Sequence, residues 1–474
     1  MARTDAQTQE PNRTQARFLE GGLFRHVTVM SLTASLGMMA IFAVDFIDMV
    51  FIAMLGRAEL AAAVGYAASI LFFTTSFGIG MAIAAAALVS RALGSGDGDL
   101  ARTKASNALI LGVIAAALFA AAVWVSLGPL VRLLGATGET ENLAIHYLQI
   151  IVPTLPFLVA GMMGSAILRA HGAAKAAMWA TLWGGIVNAV LDPILIFGAG
   201  LDLTGAAIAS AAARVAIAFA ALWPIFRHHG GLVRPTLPQI TADLRPVFAI
   251  ALPAILTQLA TPVGQAYVTR AMAEFGEAAV AGMAIVGRLT PLSFAVIFAL
   301  SGAVGPIIGQ NAGAERADRV RGAFRAAMLF AGMYVVAVSV LLFVLRGPIA
   351  ALFGAEGLTR EIVFLFCGPL ALFFYFNGVL FVANAAFNNL GRPFWSTALN
   401  WGRHTLGTVP PVMLGAWWLG APGVLIGQAL GGVLFGVLAV VLARLLMAEP
   451  RIAPARDPAF TRLVRQTQLF FSRR

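Results

Sequence analysis

Charge is scarce in this chain. Charged residues make up 11% of its 474 positions, against roughly a quarter in soluble globular proteins. A soluble fold of this length needs a charged surface, so a soluble enzyme is excluded, and so are disordered and fibrous chains. Cysteine is almost absent. Cys367 stands alone, which excludes an intramolecular disulfide and any thiolate metal cluster. No G-x-x-x-x-G-K-[ST] string occurs, so the chain brings no ATP-hydrolysing loop of its own, and no ATPase subunit is implied. Residues 1–22 are polar, with no short apolar core and no small-residue cleavage site. They do not read as a cleaved signal peptide, and the first apolar run is itself a span.

Apolar residues are plentiful: 60% of the chain is hydrophobic. Mean hydropathy is +0.87. These values describe a polytopic membrane protein. A membrane-spanning helix takes about 20 residues plus a loop, so the length holds about a dozen spans. Apolar runs between charged or Gly/Pro punctuation give twelve: 27–55, 60–90, 105–127, 143–168, 176–198, 204–226, 247–271, 278–309, 324–345, 362–386, 394–419 and 422–446. The eighth is long, and Pro291 and Pro306 predict a kink in it.

The net charge of +11 would suggest nucleic acid in a soluble protein; here its placement matters more. With the N-terminus placed in the cytoplasm, 24 of the 32 Lys and Arg fall on the inner side and five on the outer side. Arg214, Arg288 and Arg403 fall inside spans. This is a strong positive-inside signal for an inner-membrane protein with both termini cytoplasmic.

The chain also repeats. Gly94, Gly128, Gly135 and Gly172 pair with Gly313, Gly347, Gly354 and Gly391 at an offset of 219, and Gly56 pairs with Gly276 at 220. The expected fold is therefore all-α, with twelve transmembrane helices in two six-helix bundles. Six is even, so the halves run parallel and are related by a pseudo-twofold axis along the membrane normal. The division expected is a tail at 1–24, an N-lobe at 25–226, a linker at 227–244, a C-lobe at 245–446 and a basic tail at 447–474 that lies on the anionic inner leaflet.

Three carboxylates fall inside spans: Asp45 and Asp48 in the first, Asp192 in the fifth. A charge at span depth costs about 2.5–3.5 kcal/mol on insertion scales, so each needs a reason. Asp48 lies eight residues before Gly56 and Asp192 eight before Gly200, which puts both roughly 12 Å from the outer end. Asn188 shares a helix face with Asp192. Pro193 has no N–H and frees a carbonyl beside Asp192. Carboxyl, amide and carbonyl oxygens suit a proton or Na+ site, with Na+ held at Asp48, Asn188 and Asp192. The structural alternative is interhelical pairing, with Arg214 as charge partner, above all for Asp45.

These features together resemble the multidrug and toxic compound extrusion (MATE) transporters. The resemblance is carried by FIDMVFIAMLG (46–56), the NAVLD stretch (188–192), the Gly94 and Gly313 loops and the duplicated halves, and it covers 25–446. It implies that Asp48, Asn188 and Asp192 form an N-lobe ion-coupling site, with Tyr147 from the fourth helix. Ser210 stands where many members have Thr. Some members carry acidic residues in the seventh and tenth helices. Here those helices hold Gln258 and Gln265, and Asn377 and Asn384, which favours N-lobe coupling.

Met38, Met39 and Phe42 are candidates for an adaptable apolar wall of the substrate path, and Asn377, Phe381 and Asn384 for its C-lobe side. The asparagines equally suit interhelical hydrogen bonding. Arg288, Arg403 and His404 lie in spans without a carboxylate; anion binding is weighed against snorkelling or carbonyl pairing. Gly94–Asp99 contains the GxGD string of intramembrane aspartyl proteases, but reads as a turn with Asp99 capping the next helix. The function expected is a secondary antiporter, not an enzyme. It exports amphiphilic, cationic drugs or toxic metabolites in exchange for H+ or Na+ by alternating access, with no cofactor, no resident metal and membrane lipids as surroundings. A lipid or lipid-linked oligosaccharide flippase is the main alternative, and an intramembrane aspartyl protease the remoter one.

Overall fold

The structure, a computed structural model, describes residues 16–448. Among these residues every long element is helical. In a bilayer a backbone must satisfy its own polar groups, and a helix does so within one segment.

The chain enters through a short 3-10 turn, Arg17–Leu19, and α1 (Leu23–Met54). Next come α2 (Ala58–Gly94) and α3 (Gly98–Val125). Short α4 (Leu127–Leu133) leads to α5 (Gly138–Ile151) and α6 (Leu155–Ala170), which together make one span broken by a 3-10 turn at Val152–Thr154. The half closes with α7 (Ala174–Pro193), a π-turn at Ile194–Gly198 and α8 (Asp202–His228).

The second half follows as α9 (Leu237–Ala273), α10 (Glu277–Gly313) and α11 (Ala317–Leu352). Then come α12 (Gly357–Leu365), a π-turn at Phe366–Leu370, α13 (Ala371–Asn389), α14 (Pro393–His404) and α15 (Val409–Ala448).

Eleven helical stretches among the described residues are long and apolar enough to cross a membrane. The eleventh, Pro393–Ala448, has 56 residues and is two spans. It reverses at Gly420, where φ is 64° and ψ is −143°. A Cβ on Gly423, Gly427 or Gly431 would overlap the carbonyl of Gly415, Pro411 or Gly407. That ladder of close approaches belongs to an antiparallel helical hairpin closed by small residues. Twelve spans result.

Two apolar cores form, one mainly in each half; Val27 and Met30 of α1 join the core of the second half, and Val247, Ile250 and Ala251 of α9 join that of the first. Several repeated glycines are turn residues. Gly56 and Gly276 have φ of 67° and 90°, a region that costs other residues more. Gly94 and Gly313 do a different job. A Cβ on Gly94 would overlap the Gln310 carbonyl, and one on Gly313 would overlap that of Arg91. Each partner pair is related by the same 219-residue offset, so the pseudo-twofold axis passes through this crossing of α2 and α10. The kink of α10 falls at Phe294, close to Pro291, where φ is −115° and ψ 22°; no break marks Pro306. Helix α9 begins at Leu237, ten residues before the expected start of that span.

Candidate functional site

The N-lobe acids meet where α1 and α7 pack. Asp192 is fully buried one residue before Pro193, at the end of α7. Pro193 cannot donate to the carbonyl four residues back, and the next turn widens into the π-turn. Asn188, one turn earlier and also buried, donates through Nδ2 to Asp192 Oδ2 at 2.7 Å. The same Nδ2 faces Asp48 Oδ1 at 3.5 Å. The Asp48 and Asp192 carboxyls lie side by side. Asp192 Oδ1 is buried with no hydrogen-bond donor against it. A polar atom left in that state costs free energy unless something else satisfies it.

Tyr147 of α5 is buried close to both carboxyls, and its hydroxyl meets Ser210 of α8. Arg214, one turn further along α8, donates to the Ile151 carbonyl at 3.0 Å and to Thr154 Oγ1 at 3.1 Å. It therefore braces the 3-10 break between α5 and α6 and still lies within electrostatic reach of Tyr147. The structure thus brings together Asp48, Asn188, Asp192, Tyr147 and Ser210. The side chain of Asp45 lies outside the described residues, although its backbone belongs to α1.

The remaining candidates are dispersed. On α1, Met38 and Phe42 are half-buried and Met39 is exposed. On α13, Asn384 Oδ1 accepts from Asn400 Nδ2 of α14 at 3.1 Å, so this side chain joins two helices. Asn377 Oδ1 is buried without a partner, and Phe381 leans on Phe298 with ring centres 5.7 Å apart. Arg288 is exposed. In the C-lobe, Gln428 donates to Gln265 at 3.3 Å, and His404 is buried with Nε2 unpartnered.

At the basic end, the expected cap is corrected. Asp97, not Asp99, caps α3 by accepting from the Leu100 N–H at 2.8 Å. The GxGD aspartate is thereby a helix cap in a turn. His171 and His229 face each other there, with ring centres 4.6 Å apart. Burial first, and then the neighbouring imidazoles, hold His229 down at about 4.

Sequence reasoning missed two polar clusters. Lys104 of α3 pairs with Asp243 of α9, whose other oxygen accepts from Asn107 at 2.6 Å. Nothing local marks that pair, because 139 residues separate its members. The Gln265–Gln428 contact was hidden in the same way.

The MatE family profile matches residues 34–194 and 253–411. The chain is 29% identical over 442 residues to a protein named FAD transporter from Shewanella oneidensis, covering 90% of this chain and 96% of that protein. It is 26% identical over 345 residues to the multidrug export protein MepA of Staphylococcus aureus, covering 72% and 75%. Among solved structures, it resembles the Vibrio cholerae MATE transporter VcmN with a TM-score of 0.85 and 25% identity, over 91% of this chain and 98% of that one. A Pyrococcus furiosus MOP superfamily transporter, described as having a binding pocket of reversed polarity, gives 0.85 at 23% identity, over 93% and 99%.

Proposed function

The chain belongs to the MatE family of transporters, and from that premise we propose that it is a secondary antiporter driven by H+ or Na+ bound at Asp48 and Asp192. The observation that carries this reading is the pair of carboxyls side by side on α1 and α7, sharing one amide, with Asp192 Oδ1 buried and undonated. Two carboxylates away from water repel each other, and a proton or a cation between them removes that repulsion. Tyr147 and the Asn188 oxygen are further polar groups at that level.

The lobes rock about the α2–α10 crossing. The close approaches of Gly94, Gly313 and Gly309 across the seam all lie toward the basic end. With that end and both termini in the cytoplasm of an inner-membrane protein, this conformer opens outward. An ion loading the carboxyls from outside then weakens the hold on an exported compound, and by linkage the compound weakens the hold on the ion. The cargo proposed is an amphiphilic small molecule. Acidic groups in the N-lobe suit a cationic drug or metabolite. The FAD transporter relative supports a second reading, an anionic dinucleotide, which the basic residues of the C-lobe favour.

The test is dye efflux from proteoliposomes holding the full chain, with pH and Na+ gradients imposed separately. Asp48→Asn and Asp192→Asn are each expected to cut ion-driven efflux at least about tenfold, the scale of a lost buried charge contact. Full ion-driven efflux in both variants would sink the proposal.

A further inference from the structure

We infer that the C-lobe holds an anion-binding site, built from Arg403, His404, Gln265 and Gln428, that takes the phosphate or carboxylate of an amphiphilic substrate. This rests on the transport reading above and deepens its second reading, an anionic cargo.

Helix α14 is packed between α9 and α15, and Arg403 and His404 close its last turn. The His404 imidazole lies against Gly264 of α9; a Cβ on that glycine would overlap the ring. His404 is 6% exposed, and its Nε2 is buried with no hydrogen-bond partner. The Arg403 Nε lies 3.8 Å from where a Cβ of Gly432 on α15 would stand. Gln428, one turn before Gly432, donates to Gln265, the neighbour of Gly264. Four polar side chains from three helices therefore share one region inside the lobe.

Two ordinary explanations for Arg403 fail. It lies roughly 15 Å of helix beyond Pro393, too deep for its stem to reach the interface. Nor is it needed to cap its own helix, whose last carbonyls accept from other donors. Those of Trp401 and Gly402 accept from the N–H groups of Thr405 and Gly407, and that of Arg403 from the Thr408 hydroxyl.

The duplication shows that the position faces inward. Gly184 packs on Ile217, and Gly402 packs on Phe435, both members shifted by 218 positions. Arg403 thus takes the place of Gly185, whose Cβ would stand 3.1 Å from Val44 of α1. An inward glycine of the N-lobe has become an arginine. Among the described residues no carboxylate is ion-paired with it; the four ion pairs involve other cations. A guanidinium at span depth calls for an anionic partner, and its planar fork fits a carboxylate or phosphate in bidentate fashion. His404 Nε2 and the glutamine amides add hydrogen bonds from the sides.

The test measures transport of carboxyfluorescein, an amphiphilic anion, and ethidium, an amphiphilic cation, by the full chain in proteoliposomes under one ion gradient. The wild type is expected to carry carboxyfluorescein. Arg403→Gln should lower the carboxyfluorescein-to-ethidium rate ratio at least tenfold, and Arg403→Lys should restore part of it. An unchanged ratio in Arg403→Gln overturns the inference. So does a wild type that carries ethidium alone, a result that leaves the exporter reading standing. A wild type that moves neither dye removes both. If Arg403→Gln does not reach the membrane, competition in the wild type decides. Inorganic pyrophosphate should slow carboxyfluorescein at least fivefold more than ethidium, and equal slowing of the two overturns the site.

Discussion

Asp243 and Asp192 are both buried acids in this fold, and they are partnered in opposite ways. Asp243 is 4% exposed and has a full set of donors: the Lys104 ammonium on one oxygen, the Asn107 amide on the other. It ties α9 of one lobe to α3 of the other, and its role is structural. Asp192 is more buried still, yet one of its oxygens meets no donor. The two should respond to substitution in opposite ways. Asp243→Ala removes the carboxylate from a part-buried ammonium, which costs up to about 3–5 kcal/mol, the figure for a fully buried pair. A clear fall in melting temperature in detergent is expected. Replacing both partners, Lys104→Met with Asp243→Leu, should recover most of it, because an apolar pair needs no desolvation. Asp243→Ala melting with the wild type would refute this role. Asp192→Asn, in contrast, is expected to cost transport and little stability.

At the scale of elements, the twelve spans were legible because lipid makes hydropathy decisive, and the boundaries moved by only a few residues in most helices. The exceptions have physical causes. Helix α9 starts early because its first turns carry Gln239, Thr241, Asp243 and Arg245 and are capped by the reciprocal Thr236–Gln239 box, and so lack the apolar signature of a span. The N-lobe acids were legible because a carboxylate in an apolar run is anomalous on its face. The Arg403 cluster was legible only in part. The arginine stood out, and Gln265 was noted only as a neutral residue where some family members carry acids, while Gln428 drew no notice until packing set the two together. The repeated glycines at 94 and 313 were visible as a pattern, but their cause, backbone against backbone, is tertiary. It gives a prediction. Gly313→Val should wedge α2 from α10, whereas Gly65→Val, with open space around it, should not. Spin labels at Ser95→Cys and Glu315→Cys in a Cys367→Ser background should report a longer distance in the first variant alone. Identical distributions in both would show that this crossing tolerates a side chain.

For the whole molecule, the question is what holds the two halves together at the end where their cores exchange residues. The short segment before α1 supplies part of the answer. Phe18 is 1% exposed and belongs to the core of the C-lobe, although it precedes the first N-lobe helix. Its N–H donates to Gln310 Oε1 at 2.8 Å, and Gln310 Nε2 donates to the Ala170 carbonyl at 2.7 Å, so one side chain of α10 links the segment and the end of α6. Asn311 and Arg319 hold the Phe18 carbonyl, Arg316 holds that of Leu19, and Arg17 reaches back to Gly172 of the N-lobe. None of this was readable in the sequence, where residues 16–21 are a short mixed lead-in and Gln310 is one more polar residue near a helix end. The strap crosses the seam at the end where the glycine contacts lie, so it must release whenever that end opens. Removing one of its fastenings should therefore favour opening without touching either lobe's core. Gln310→Ala is expected to raise amide exchange about tenfold or more at residues 16–21 and at the last turns of α2 and α10, while the middle of α6 keeps its protection. Exchange confined to residues 16–21 would mean that the strap frays alone and plays no part in closing the seam. Exchange that spreads evenly through both lobes would mean that Gln310 serves global stability instead. Only the intermediate pattern, strap and seam together, fits a fastening that the transport cycle undoes.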